Sequence, residues 1–173
     1  MSNSNYPNLS IIGLLVNDSP GVMMKITGMF ARRGFNIASI TVGHSERPGL
    51  SRITIGAEGD LDTIEQITKQ LNKLVDVIKV QHLGLQNTTI RECALIKVII
   101  KGHEQRQEVV SIVDLYRAKA IDVSQKYITI EVVGGPRKVD SFIDVISDIV
   151  PIREIVRSGL MAISRGKSAI TLN

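Results

Sequence analysis

One order of predicted elements occurs twice in this chain of 173 residues, and that repeat constrains the fold more than any other sequence feature. Apolar runs bounded by turn residues alternate with segments whose apolar residues recur every three or four positions. They predict strand, helix, strand, strand, helix, strand in each half. The predicted strands are Leu9–Val16, Ile37–His44, Ser51–Glu58 and Val75–His82 in the first half, and Ala94–Lys101, Ala120–Ser124, Tyr127–Val133 and Ile152–Ser164 in the second.

Each half of this order is typical of a ferredoxin-like unit, in which two helices pack on one face of a four-stranded antiparallel sheet. We therefore predict the α+β class with two ferredoxin-like βαββαβ domains. The first spans residues 9–83, a linker spans 84–92, and the second domain spans 93–168. Because each sheet would keep one face and its edge strands uncovered, we expect the chain to form a homodimer.

Composition excludes several classes of protein. The formal net charge is only +4, and Lys and Arg occur along the whole chain, which favours a solvated surface over nucleic-acid binding. With three Phe, three Tyr and no Trp, the strands offer few aromatic rings on which RNA bases could stack. The single cysteine, Cys93, cannot form an internal disulfide, which is typical of a reducing compartment.

The sequence predicts no catalytic, metal or phosphate-loop site. His44, His82 and His103 lack the spacing of a zinc site, and no nucleophile motif is present. The run SRGKS at Ser164–Ser168 resembles part of a phosphate loop, but it follows a closing strand and precedes no helix. We interpret it as a basic tail. With neither a secretion signal nor a membrane-spanning run, we expect a soluble, cytoplasmic protein with no membrane partner (or a plastid stromal one, if plastid-encoded).

The turn between the first strand and the first helix, Asp18-Ser-Pro-Gly21, is the remaining candidate site. Ser19 is predicted to cap the helix, with Pro20 as its first residue. Backbone N–H groups at a helix start can bind a carboxylate, and Gly21 would let it approach closely. Asp18 could pair with an ammonium group, so the turn suits an α-amino acid. The alternative, an ordinary capping turn, is favoured by the turn alone.

Several longer segments resemble one family, the small regulatory subunits of acetolactate synthase (acetohydroxyacid synthase). The resemblance begins at NDSPGV and continues through FARRGFNI, LSRITI and KQLNKLVDVIKV in the first half. In the second half it includes RECALIKV, IDVSQKYITIEVVG and REIVRSGLMAISRG, so nearly the whole chain is covered. It implies that residues 9–83 form an ACT domain, a module that binds amino acids, and that residues 93–168 form the family's C-terminal domain.

The resemblance implies a non-catalytic partner of a large subunit that carries thiamine diphosphate, Mg and FAD, with no cofactor on this chain. Such a subunit would activate the enzyme and confer feedback inhibition by a branched-chain amino acid, with valine as the first expectation. The effector would lie between two ACT domains, held by Asp18 and Gly21 and by Asn36 across the interface. Val22 and Ile37 would contact its side chain.

Two alternatives remain at this point. The chain could be a free-standing ACT-type amino-acid sensor, or a nucleic-acid-binding ferredoxin-like module. Neither requires a catalytic partner.

Overall fold

A computed structural model describes residues 9–171 of the protein, and both sheets have the same strand order. The first half contains β1 (Leu9–Asn17), α1 (Val22–Arg32), β2 (Ile37–His44), β3 (Leu50–Glu58), α2 (Leu61–Leu71) and β4 (Val77–Leu83). The second contains β5 (Thr88–Ile99), α3 (His103–Leu115), β6 (Lys119–Val123), β7 (Tyr127–Gly134), α4 (Pro136–Ile149), β8 (Ile152–Arg157) and β9 (Met161–Ser164). The four main strands of the two sheets have the orders β2-β3-β1-β4 and β6-β7-β5-β8, with antiparallel neighbours. The second sheet has a fifth strand, β9, which pairs with β5. The predicted α+β class with two ferredoxin-like units is confirmed.

The alternation of β1 explains how the first unit builds its core. Ile12, Leu14 and Val16 lie on one face of the strand and pack against the two helices, as the period of two in a strand requires. The helices contribute buried residues spaced three or four apart, which form one stripe on each helix. These are Val22, Ile26, Met29 and Phe30 from α1 and Ile64, Ile67 and Leu71 from α2.

The second unit repeats this arrangement and adds a buried ionic cluster. Ala94, Ile96 and Val98 of β5 face the helices and belong to its core. Arg157 donates to both carboxylate oxygens of Glu92, at 2.8 and 2.6 Å, and to Asp140 at 2.8 Å. Both carboxylates are buried, and donation to Glu92 raises the pKa of the Arg157 guanidinium above its ordinary value.

The C-terminal segment (residues 160–171) packs on the first sheet. The chain therefore forms two compact units, and this segment belongs to the first of them. One unit comprises residues 9–89 and 160–171, and the other comprises Ile90–Gly159. Ile11, Leu15 and Leu83 are fully buried although they lie outside the core cluster that contains the helices. Leu160 and Ile170 of the C-terminal segment are buried as well. The expectation that the first sheet keeps one face open is therefore wrong.

Polar contacts hold the C-terminal segment in place. The Leu160 N–H donates to the Ser39 hydroxyl at 2.8 Å in a buried position. Arg52 donates to the Ile170 carbonyl at 3.4 Å, and Lys79 donates to the Thr171 carbonyl at 3.1 Å. A Cβ atom on Gly13 would lie only 2.4 Å from Ile170 Cδ1, so the Ile170 side chain would have to shift to accommodate a larger residue on β1.

Three of the differences between the predicted and observed element boundaries change how a segment is interpreted. Strand β5 begins at Thr88, and a 3-10 turn at Leu85–Asn87 precedes it, so most of the segment predicted as a linker is regular structure. The single closing strand predicted for Ile152–Ser164 is two strands, β8 and β9, and Gly159 between them has a φ of +78°. Helix α1 begins at Val22 rather than at Pro20.

Candidate functional site

The N-cap of α1 is Gly21, and not Ser19 as the sequence predicted. Gly21 has φ +85° and ψ −5°, and no side chain caps the helix. The Ser19 carbonyl accepts from the Val22 N–H at 3.4 Å. L-residues rarely adopt this left-handed conformation, and a Cβ atom on Gly21 would meet nothing within 4 Å. Glycine is therefore required here by the backbone angle, and the space beside its Cα is open.

The two helices of the first unit differ in whether acidic side chains stand at their N-termini. Asp60 caps α2, accepting from the Thr63 N–H at 2.8 Å, and Asp62 follows in the first turn. Hydrogen bonds from Thr63 hold the pKa of the Asp60 carboxyl below its ordinary value. In contrast, α1 has no acidic residue in its first turn, and its N-cap has no side chain. The positive end of the α1 dipole is thus available to an external carboxylate.

Asp18 lies at the same turn and contacts a residue that the sequence interpretation considered only as a metal ligand. Its backbone N–H donates to the Gly49 carbonyl at 2.9 Å, which fixes the turn against the β2–β3 hairpin. Its carboxylate oxygen lies 3.3 Å from His44 Nδ1, and the Asp18 side chain is 45% exposed. No sequence spacing connects these two residues, because the sheet alone brings the last residue of β2 to the end of β1.

Asn36 does not join Asp18 within one chain. It directly precedes β2 and donates to Glu58 at 3.3 Å, whereas Asp18 contacts His44 at the far end of the same strand. Eight residues of extended chain span about 26 Å. The structure therefore brings Asp18 and Gly21 together and places Asn36 at the opposite end of β2.

The two predicted side-chain contacts also differ from each other. Val22 is only 5% exposed and belongs to the helical core. Ile37 is partly buried at the start of β2, next to Asn36. β2 is an edge strand of its sheet, so Ile37 lies at the rim that a second chain could reach.

The equivalent turn of the second unit has different chemistry. Lys101 and Gly102 stand between β5 and α3, and Gln105 accepts from the Lys101 N–H at 2.9 Å. Gly102 has an extended backbone, with φ 163°. This turn has no counterpart of Asp18, the carboxylate that could bind the ammonium group of an amino acid. Within the described chain, the arrangement suited to an amino acid therefore occurs once.

Residues 9–171 contain no group of three or more His, Cys, Asp or Glu side chains placed to hold a metal ion. Within the same residues, no helix has both the length and the apolar character needed to cross a membrane.

Comparisons with known proteins agree over nearly the whole chain. Residues 12–79 match the model of the AHAS small subunit-like ACT domain, and residues 91–166 match that of the small subunit of acetolactate synthase. A probable acetolactate synthase small subunit from Methanothermobacter thermautotrophicus is 45% identical, covering 92% of this chain and 95% of that protein. The acetolactate synthase small subunit of Mycolicibacterium smegmatis is 42% identical, over 96% and 97% of the two chains.

A solved structure extends the agreement to three dimensions. The crystal structure of the acetolactate synthase small subunit from Thermotoga maritima is 46% identical to this chain, with a TM-score of 0.86. It covers 92% of this chain and 99% of its own. The chain therefore belongs to the family of acetolactate synthase small subunits, which are regulatory and not catalytic.

Proposed function

We propose that this chain binds the catalytic large subunit of acetolactate synthase, activates it, and makes it sensitive to a branched-chain amino acid. The enzyme would then serve valine, leucine and isoleucine biosynthesis in the cytoplasm, with valine as the effector. Thiamine diphosphate, Mg and FAD would belong to the large subunit. Membership of the small-subunit family supports this role. Residues 9–83 would be the effector-binding ACT domain, and residues 93–168 the C-terminal domain.

The effector site would form between two copies of the chain. An edge strand presents unpaired N–H and C=O groups to a partner strand, and β2 is such an edge. If two copies pair antiparallel through β2 about a two-fold axis, the start of one β2 lies beside the end of the other. Asn36 of one copy would then approach the Asp18–Gly21 turn of the other. The separation of these residues within one chain is the observation that carries this proposal.

The ligand would lie across that junction with its carboxylate on the N–H groups near Gly21. Asp18 and Asn36 would hold the ammonium group, since one is an anion and the other an amide. Ile37 is next to Asn36 and would contact the aliphatic side chain, with Val22 contributing through its small exposed part. Because the second unit lacks an equivalent turn, we expect one effector per chain. A coupling of about 1–3 kcal/mol would shift the equilibrium between two states of the large subunit roughly 5- to 150-fold.

Gly21→Asp and Gly21→Asn together test this site, because the two side chains have nearly the same shape. Both variants carry the same left-handed strain, about 1–2 kcal/mol, so their folding stabilities should match. Only aspartate places a negative charge beside the ligand carboxylate. Two like charges about 4 Å apart repel by about 4 kcal/mol at an effective dielectric constant of 20.

Calorimetry should therefore show no valine binding to Gly21→Asp and weakened but measurable binding to Gly21→Asn. Activation of the large subunit should persist in both variants. Equal valine affinity in the two would place the effector elsewhere. A failure of the wild-type chain to bind any thiamine-dependent large subunit in a pull-down would favour a free-standing amino-acid sensor. Retention on DNA that is lost as salt rises would favour the nucleic-acid-binding alternative.

A further inference from the structure

The excess positive charge of the chain is concentrated in two segments of the first unit. The chain has 21 Lys and Arg against 17 Asp and Glu. The segments 77–89 and 160–171 contain Lys79, Arg165 and Lys167 and no acidic residue. Without these three, 18 basic residues face 17 acidic ones, so the rest of the chain is nearly neutral. Lys79 lies on β4, and Arg165 and Lys167 directly follow β9.

A polar depression of about 350 Å³ lies where these two segments meet. Its lining includes His82 from β4, Asn87 and Thr88 from the turn into β5, and Ser164, Arg165 and Ser168 from the C-terminal segment. The Arg165 N–H donates to the Asn87 carbonyl at 2.8 Å, which joins the two walls through the backbone. Among residues 9–171, no carboxylate lines the depression.

Most polar side chains around this depression have no protein partner among residues 9–171. Thr88 donates to the Gly84 carbonyl at 2.8 Å, but within residues 9–171 no hydrogen bond or ion pair engages the side chains of His82, Asn87, Arg165 or Ser168. The backbone reverses at Gly166, with φ +69°, and this turn presents the SRGKS segment at the depression. The residues that line this space therefore carry a guanidinium, an imidazole ring, an amide and two serine hydroxyls.

We propose that this depression binds a phosphate-bearing small molecule, with Arg165 as the principal contact to the phosphate. A phosphate offers several strong acceptor oxygens in different directions, which suits donors that come from three segments of the chain. Arg is favoured at phosphate sites because its planar group can donate two parallel hydrogen bonds. Lys167 adds positive charge beside Arg165. The volume exceeds that of a phosphate ion and reaches the lower end of small-molecule sites, so an esterified phosphate has room there.

A second depression in the other unit provides a matched control. It has nearly the same volume, about 330 Å³, and its lining includes the cations Lys97 and Arg153. Asp122 and Glu154 line it as well, and Lys97 lies 3.8 Å from Glu154. Its cations therefore already face carboxylates, and it should not attract an anion.

The test titrates inorganic phosphate into the full-length protein at constant ionic strength, with sodium chloride as the compensating salt. Calorimetry and backbone amide NMR should show saturable binding, with shifts at residues 82–88 and 164–168. Arg165→Gln should weaken binding at least tenfold, whereas Arg153→Gln should leave it unchanged. Arg165 is exposed, so both variants should fold, and their amide spectra verify this. Glycerol 3-phosphate that binds more tightly than inorganic phosphate would identify the ligand as an ester, and equal affinity would identify the free ion.

Three results would overturn the proposal. Phosphate binding to Arg165→Gln with wild-type affinity would remove its main contact. A linear, unsaturated response that chloride reproduces would indicate only general screening. Binding of a polyglutamate peptide in the absence of phosphate binding would make the surface a protein contact. None of these results depends on the effector site, because that site is read out with valine.

Discussion

Replacement of Arg157 should cost the second unit much of its stability. The Arg157 guanidinium lies between two buried carboxylates: Glu92 is fully buried, and the Asp140 side chain is 7% exposed. Arg157→Met keeps much of the aliphatic length but removes all three hydrogen bonds. The Glu92 carboxylate would then be buried without the cation that compensates it.

The expected loss follows from that burial. Removing one partner of a buried ion pair typically costs about 3–5 kcal/mol, because the remaining charge is left in a medium of low polarity. Domains of this size are stable by about 5–15 kcal/mol, so the unit would unfold at a much lower denaturant concentration. Arg157→Lys keeps the charge but cannot bind Glu92 through two parallel hydrogen bonds, and we expect a loss of about 1–3 kcal/mol.

Tyrosine fluorescence in urea can measure this loss for the correct unit. Tyr116 and Tyr127, two of the three tyrosines in a chain without tryptophan, lie in the second unit. As a control, Arg157→Met is introduced into a variant that already carries Glu92→Gln and Asp140→Asn. The loss of stability caused by Arg157→Met should be smaller there, because neutral amides need no compensating cation. A wild-type midpoint for Arg157→Met, or an undiminished loss in the neutral background, would refute the assignment of the cluster as a stabilising ionic core.

Three further predictions concern the first unit. Asn36→Ala should weaken valine binding by about 1–3 kcal/mol, the cost of a lost buried hydrogen bond, and an unchanged dissociation constant in calorimetry would exclude Asn36 from the site. The pKa of Asp60 is lowered by Thr63, so its stabilising effect should be present above the ordinary aspartate range and be lost as pH falls through the folded-state value. Asp60→Asn should flatten the acid limb of a stability–pH curve, and an unchanged limb would contradict this. Ile170→Asp should destabilise the unit by about 2–5 kcal/mol, whereas Ile163→Asp, at a position 65% exposed, should have little effect on urea unfolding.

The repeated order of elements was predictable because most of it is encoded locally. Alternation placed β2 at Ile37–His44, as found, and helical periodicity identified the buried stripe of α1. The start of α1 was missed because Ser19 and Pro20 are good capping residues, whereas the left-handed angle at Gly21 depends on the preceding turn. The break after β8 was missed because the apolar pattern continues from one strand into the next.

What the sequence pattern could not predict depends on contacts between distant residues. Asp18 and His44 meet only because β1 and β2 belong to one sheet. Arg157, Glu92 and Asp140 come from three separate elements. The basic residues occur along the whole chain in sequence, and folding alone shows that Arg165 lines a depression together with residues of β4 and of the turn into β5. Asp18 and Gly21 were candidates from the turn itself, whereas Asn36, Val22 and Ile37 were named from the resemblance. Their pairing across two chains remains a prediction.

The packing of the C-terminal segment has a consequence for synthesis on the ribosome. The first unit cannot cover the outer face of its sheet until residues 160–171 have emerged, about eighty residues after Thr89. At translation rates of about 5–20 residues per second, this delay lasts about 4–16 s. During that time Ile11, Leu15 and Leu83 would be exposed as an apolar patch on an otherwise formed sheet. Nascent chains stalled between residues 90 and 159 should therefore be the aggregation-prone species and the preferred clients of ribosome-associated chaperones.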